Sequence, residues 1–310
     1  MQNTFLVMTI FTLNQGKLTQ INEISFTLEK DIQKIVENNL QSLFSLEFVT
    51  SEFSLNRLRV DTLGFDKESR SFVIIEYKKD LNFSVIDQGY AYLALLLNNR
   101  AEFILKYNEN NKAFIRKDNI DWSQSRVIFI SPKFTTYQRK AIEFKDLPIE
   151  LWEIKQYNNN IILVNQLISP EETESITTLN NKSGILKKIN QEIVVYSEEA
   201  HLQIANEKIK TLYLELKDLV LGIDNNIKIN PKKRYLGYTH NKTFLYLSIK
   251  KNSITLHILV DKSGLNDPRN FSKEITSRDQ GPRREYEIIL QESSNLEYVL
   301  SLIKQAYNHN

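Results

Sequence analysis

Residues 71–79 read SFVIIEYKK, and this run constrains the fold more than any other. In a β-strand, residues two apart share a face. Phe72, Ile74, Glu76 and Lys78 therefore line one side, and Val73, Ile75 and Tyr77 the other. Both sides are apolar until the C-terminal end, which is the pattern of a strand covered on both faces at the centre of a sheet. A carboxylate and an ammonium, about 6.6 Å apart on one face of such a strand, are costly there unless they are paired or hold a metal.

A second strand-like run, 57–65, precedes it across the short turn Asp66-Lys67-Glu68-Ser69. The two should pair as an antiparallel hairpin, bringing Asp61 near Glu76. Two carboxylates held close repel each other unless a proton or cation lies between them. With no Cys and only four scattered His in the chain, oxygen ligands favour a hard divalent ion, Mg²⁺ or Mn²⁺.

The surrounding pattern alternates strands and helices. Residues 5–12 and 17–25 form an expected hairpin turned at Asn14-Gln15-Gly16, and a helix over 29–44 carries the stripe Ile32, Ile35, Val36, Leu40, Leu43 and Phe44, capped by Ser25 or Thr27. Strands follow at 46–53, 57–65 and 71–79, then a helix at 84–98, strands at 101–107 and 126–131 separated by a polar loop, a short helix near 135–144 and a strand near 149–156. This order predicts a mixed α/β sheet flanked by helices over residues 1–165. Polar punctuation such as Ser169-Pro170-Glu171-Glu172 marks 166–195 as a linker. Beyond it, 196–310 reads as a smaller α+β domain. Its elements are a helix at 198–221 stopped by Gly222, strands near 235–239, 243–249, 253–260 and 285–290, and a last helix near 294–307.

Composition narrows the function classes. The 310 residues, 41% hydrophobic, suffice for two ordinary domains. Forty basic against 38 acidic residues leave a net charge of +2, so only local patches can speak for a polyanionic partner. The absence of Cys excludes disulfides and thiolate metal sites and fits a cytoplasmic setting. No run approaches the ~20 apolar residues of a membrane span, and the start MQNTFLVMTIF reads as a strand rather than a signal peptide. None of the eight Gly forms GxGxxG or GxxxxGK[ST], which argues against a nucleotide-driven enzyme of those types.

Asp61…Glu76-x-Lys78 resembles the motif of the PD-(D/E)XK nuclease superfamily, with Val60-Asp61 in place of its Pro-Asp. The preceding helix resembles that superfamily's first helix, where Glu37 matches a metal-side acid. Gln88…Tyr92 resembles the QxxxY of its RecB-like branch. The stretch 51–103 is similar to the nuclease-like half of a family of uncharacterised bacterial proteins and, more distantly, to the catalytic domain of mismatch-cleaving endonucleases. That family's C-terminal half, a domain of unknown function, is matched by Leu265-Asn266-Asp267-Pro268-Arg269-Asn270 and by the closing YVLSLIKQAY.

The resemblance implies phosphodiester hydrolysis. Asp61 and Glu76, with Glu37 directly or through water, would hold Mg²⁺ or Mn²⁺. Lys78 would orient the attacking water and stabilise the developing charge. Gln88 and Tyr92 would touch the phosphate or the scissile strand, and Arg59, Lys79 and Lys106 would contact backbone phosphates. Glu52 is either a further acidic ligand or a solvent-facing strand residue.

The second domain carries a basic, aromatic stretch, Lys228 to Lys251, with seven Lys/Arg and no acid. Lys232, Lys233, Arg234 and Tyr235, extended by Arg278, Arg283 and Arg284, form either a nucleic-acid surface with stacking rings or two amphipathic strands with a solvated lysine edge. The expectation is a metal-dependent nuclease acting on nucleic acid, DNA first, with an accessory domain that binds nucleic acid, forms a homodimer or recruits a partner. The rivals are a non-catalytic nucleic-acid binder that keeps the fold, and an oligomerising interaction protein.

Overall fold

The computed structural model describes residues 9–79, 84–142, 147–167, 189, 191–275 and 283–309. The chain divides into two compact units, Met1–Val195 and Tyr196–Asn310.

The first unit is built on a seven-stranded mixed sheet. A separate small hairpin comes first, β1 (Ile10–Asn14) with β2 (Lys17–Ile21). Gln15 and Gly16 both take positive φ, 48° and 79°, as a tight hairpin turn requires. Residues 5–8 of the expected hairpin lie outside the described residues. Then come β3 (Glu23–Ile24), α1 (Glu29–Glu37), α2 (Leu40–Phe44), β4 (Glu47–Leu55), β5 (Leu58–Asp66) and β6 (Ser71–Tyr77). After them follow α3 (Val85–Asn98), α4 (Arg100–Asn111), β7 (Arg126–Ser131), α5 (Thr136–Ala141), β8 (Ile149–Tyr157) and β9 (Ile161–Leu167). β4, β5 and β6 are antiparallel, while β6, β7 and β8 run parallel.

β6 is buried along its whole length, as its double apolar pattern requires. Phe72 and Ile74 belong to one core, with Tyr92, Leu93 and Leu96 of α3 and Phe103 and Tyr107 of α4. Val73, Ile75 and Tyr77 belong to another, with Ile32 and Val36 of α1 and Leu40 of α2. The sheet is thus sandwiched between α3/α4 and α1/α2, the expected mixed α/β architecture.

Several expectations need correction. The helix expected over 29–44 breaks at Asn38-Asn39 into α1 and α2, and its N-cap is Leu28, whose N–H donates to Asp31 Oδ2 at 2.9 Å. Residues 101–107 are not a strand but lie inside helix α4. Phe103 and Tyr107, four apart, face the core, and Leu105 stays exposed. β9, unforeseen, pairs antiparallel with β8, and Ile189 and Ile193 of the expected linker join the first unit's core. Most of that linker, 168–188, lies outside the described residues.

The second unit has α6 (Glu198–Leu202), α7 (Glu207–Leu221), β10 (Lys228–Pro231), β11 (Leu236–Thr239), β12 (Thr243–Lys250), β13 (Ser253–Val260), β14 (Lys273–Ile275), β15 (Arg284–Leu290) and α8 (Leu296–Asn308). The single helix expected over 198–221 is therefore two, and β10 and β14 are additional. Gly222 closes α7 with ordinary right-handed backbone, φ −69°. The strands form one sheet, ordered β10-β11-β12-β13-β15-β14. Leu212, Tyr213 and Leu216 of α7 share its core with Val299, Leu302 and Ile303 of α8. No described helix is long and apolar enough to cross a membrane.

Candidate active site

The register Thr62↔Ile75, carried on by one position, sets Asp61 across from Glu76. Here the β5–β6 ladder gives way to side chains: the Tyr77 N–H donates to Asp61 Oδ2 at 3.2 Å. Glu76 is only 4% exposed, so its carboxylate must be satisfied by protein groups. Lys78, just past the end of β6, places Nζ 2.7 Å from Glu76 Oε1. α3 supplies the rest. Ser84 caps it by accepting from the Asp87 N–H, and the next turns carry Gln88 and Tyr92, four apart and so on one helix face. Gln88 Nε2 donates to Glu76 Oε1 at 2.9 Å and to the Tyr92 hydroxyl at 3.1 Å. The Tyr92 hydroxyl in turn lies 2.8 Å from Glu76 Oε2.

α3 comes this close because residue 89 is glycine. A Cβ there would stand 2.4 Å from Ile149 Cδ1 of β8 and 2.9 Å from its Cγ1. The helix backbone therefore rests on the sheet where Gln88 needs to reach Glu76.

Asp61 is half-buried, and its carboxyl is pushed up to about 6, first by burial and then by the Glu76 charge. The Tyr77 N–H, Lys78 and Arg59 oppose the shift without cancelling it. Two acids are packed where one of them would rather keep its proton. Asp61, Glu76, Lys78, Gln88 and Tyr92 are therefore brought together at the C-terminal end of β6.

Glu37 does not join them. Glu76 turns to the α3 face of the sheet, whereas Glu37 lies on the α1 face. Its Oε1 accepts from Gln33 Nε2 at 2.8 Å, Ser51 Oγ at 2.7 Å and Thr62 Oγ1 at 2.6 Å. The Tyr77 hydroxyl donates to Thr62 Oγ1 at 3.0 Å on the same side. Glu37 is a hub of hydrogen bonds rather than a third acid beside Asp61. Among the described residues, no group of three or more His, Cys, Asp or Glu gathers as a metal site. The pair Asp61 and Glu76 still fits a hard cation, because Mg²⁺ is commonly held by one or two carboxylates while water and substrate phosphate fill its remaining positions.

Sequence reasoning missed Gln33. Its Nε2 also donates to the Asp61 carbonyl at 3.1 Å, tying α1 to β5 at the site. The signal was its spacing of four from Glu37 on one helix face.

The expected phosphate contacts are spread out. Arg59 Nη2 lies 3.9 Å from Asp61 Oδ1, and its Nη1 lies 2.9 Å from Glu52 Oε2. Lys79 is engaged at the start of α1, donating Nζ to the Thr27 carbonyl at 2.7 Å and its backbone N–H to Glu29 Oε1 at 2.8 Å. Lys106 pairs with Glu109 along α4.

In the second unit, Lys232, Lys233, Arg234 and Tyr235 form the connection between β10 and β11, closed by the Lys232 N–H donating to the Tyr235 carbonyl at 2.8 Å. Tyr235 lies 5.0 Å from the Tyr246 ring, which stacks on His257 at 4.6 Å. Glu285, buried, accepts from Tyr246 and lies 2.8 Å from His257 Nδ1; the sequence reading gave His257 no role. Arg283 donates to the Thr243 carbonyl at 2.8 Å, and Arg284 is 3.7 Å from Glu274. Arg278 lies outside the described residues.

The whole chain has a close relative. It belongs to the same family as an uncharacterized protein from Haemophilus influenzae (strain ATCC 51907 / DSM 11121 / KW20 / Rd). The two are 40% identical over 299 residues, covering 96% of this chain and 99% of the relative. Residues 198–310 match a domain of unknown function, DUF5655. Among solved structures, the chain is similar to a repair endonuclease from Pyrococcus abyssi (19% identity, TM-score 0.27) and to EndoMS in a complex with dsDNA (16% identity, TM-score 0.23). Each match covers 39% of this chain and spans 45% and 43%, respectively, of those structures' own length.

Proposed function

We propose that this protein is a metal-dependent nuclease that hydrolyses phosphodiester bonds in nucleic acid, DNA being the first substrate to test. The observation that carries this reading is the pair Asp61 and Glu76. Two carboxylates share a largely buried spot at the end of a central strand, and burial, with the Glu76 charge added to it, raises the proton affinity of Asp61. A folded protein retains such a conflict where a cation or a reaction uses it.

Asp61 and Glu76 would hold Mg²⁺ or Mn²⁺, which when bound polarises a phosphoryl oxygen and makes water a better nucleophile at neutral pH. Gln88 and Tyr92 hold the Glu76 carboxylate in one orientation. Lys78, at present the cation on Glu76 Oε1, turns its ammonium toward the phosphate and stabilises charge developing on its oxygens. The Tyr77 N–H fixes Oδ2 of Asp61, while Oδ1 lies 3.9 Å from Arg59 Nη2. The second unit, with its basic β10–β11 connection, would serve as an accessory nucleic-acid contact.

The test is strand cleavage of supercoiled plasmid, single-stranded DNA, mismatched duplex and RNA in Mg²⁺ or Mn²⁺. Cleavage should stop in EDTA and fall by about a hundredfold or more in Glu76→Gln and in Lys78→Ala. No cleavage by folded wild-type protein, or equal cleavage by Glu76→Gln, contradicts the reading.

A further inference from the structure

The pairs Ser51↔Thr62 and Phe53↔Val60 bracket Glu52 directly across β4–β5 from Asp61. Glu52 has φ +53°. Asn56 and Arg57 also take positive φ, but in the turn between β4 and β5, where a tight hairpin requires it. Glu52 lies within β4, where the left-handed conformation is strained for a residue with a long side chain.

That backbone delivers the Glu52 carboxylate to two cations from different elements. Lys30 of α1 places Nζ 2.8 Å from Oε1, and Arg59 of β5 places Nη1 2.9 Å from Oε2. The Lys30 and Arg59 side chains are 62% and 61% exposed, so solvent and solutes reach both. Exposed ion pairs contribute little to stability, and these two do not account for a strained strand residue. The arrangement has another reading. One cation per oxygen on a planar O–C–O group is also how an ammonium and a guanidinium grip two oxygens of a phosphate. Arg59 reaches the Asp61 carboxylate at 3.9 Å with its other nitrogen, so the grip adjoins the candidate metal pair.

We propose that Lys30 and Arg59 form a clamp for a backbone phosphate of the nucleic-acid substrate, and that Glu52 fills this clamp in the free protein as a stand-in for the phosphate. The proposal rests on the nuclease reading for what brings a phosphate there. Binding exchanges the Glu52 carboxylate for a phosphate, so Glu52 lowers affinity for every polyanion. Lys30 becomes a substrate contact, and Glu52 a residue that sets how readily substrate enters.

The test is fluorescence anisotropy with short labelled duplex and single-stranded DNA, in EDTA so that nothing is cut. Wild type is compared with Glu52→Gln, Lys30→Ala and the double variant. Glu52→Gln should bind about three- to tenfold tighter at about 50 mM salt. Adding Lys30→Ala should remove that gain and make the slope of log K against log salt shallower by about one. Equal or weaker binding by a Glu52→Gln protein that melts as wild type does, or a gain that survives Lys30→Ala, overturns the clamp. So does binding by none of the variants, or a Glu52→Gln protein that has lost Mn²⁺ affinity in calorimetry. Plasmid cleavage in Mg²⁺ on the same preparations separates the two claims. The predicted binding pattern without cleavage removes only the nuclease reading, and cleavage lost in Glu76→Gln with no binding response to Glu52→Gln removes only the clamp.

Discussion

The Tyr92 hydroxyl lies 2.8 Å from Glu76 Oε2, joining the second turn of α3 to the end of the central strand β6. Glu76 is buried, so this oxygen cannot turn to bulk water when the hydroxyl is removed. Tyr92→Phe should destabilise the protein by about 1–3 kcal/mol, the cost of leaving a buried charged acceptor without its donor. It should slow cleavage about tenfold. Urea unfolding and single-turnover cleavage measure the two effects.

Asp61 gives a pH signature. Its carboxyl lies at about 6 in the folded protein against a usual 3.8, so between these values the native state binds the proton more tightly than the unfolded chain does. The stability linked to this proton is complete below about pH 4 and is lost as pH rises through about 6. Asp61→Asn removes the charge and should stabilise the protein by roughly 1–3 kcal/mol at pH 7.5, with little effect near pH 4. The difference in melting temperature between variant and wild type, followed across that range, checks the sign. Mg²⁺ should raise the wild-type melting temperature mainly above pH 6, where Asp61 has lost its proton.

Gly89 tests how the helix positions the site. Gly89→Ala places a methyl group against Ile149, and the overlap should cost about 1–3 kcal/mol while lifting Gln88 and Tyr92 from Glu76. Reduced cleavage is expected, with partial recovery of both stability and rate in Gly89→Ala/Ile149→Val, which removes the Cδ1 that the new methyl group meets first. Thermal melts and cleavage rates of the two variants measure this.

Glu37 separates structure from metal binding. Glu37→Ala leaves Gln33, Ser51 and Thr62 without a common acceptor and should destabilise by about 2–4 kcal/mol. Glu37→Gln keeps an acceptor oxygen and should hold Mn²⁺ affinity within about twofold of wild type, whereas Asp61→Asn should not. Calorimetric Mn²⁺ titration distinguishes the two roles.

β6 was legible because both of its faces are apolar, which only a covered strand explains. Gln88 and Tyr92 were legible through their resemblance to the QxxxY pattern, and their spacing of four sets both on one face of α3. α4 was misread because Phe103-Ile104-Leu105 is a short apolar run that suits either state, and only Phe103 and Tyr107 packing against Phe72 and Phe65 decides it. Glu37 matches the metal-side acid of the resembled helix, yet which face of the sheet it meets depends on Ser51 and Thr62, partners 14 and 25 residues away in the chain. The strain at Glu52 is a backbone property that no side-chain pattern announces.

Whether Asp61 and Glu76 hold a metal ion is settled by anomalous diffraction from crystals soaked in Mn²⁺. An ion is expected between the Asp61 and Glu76 carboxylates, with Lys78 moved off Glu76 Oε1, and no ion at that position in Glu76→Gln crystals. A soaked wild-type crystal with no ion there, or with its ion bound at Glu37, would contradict metal binding by this pair.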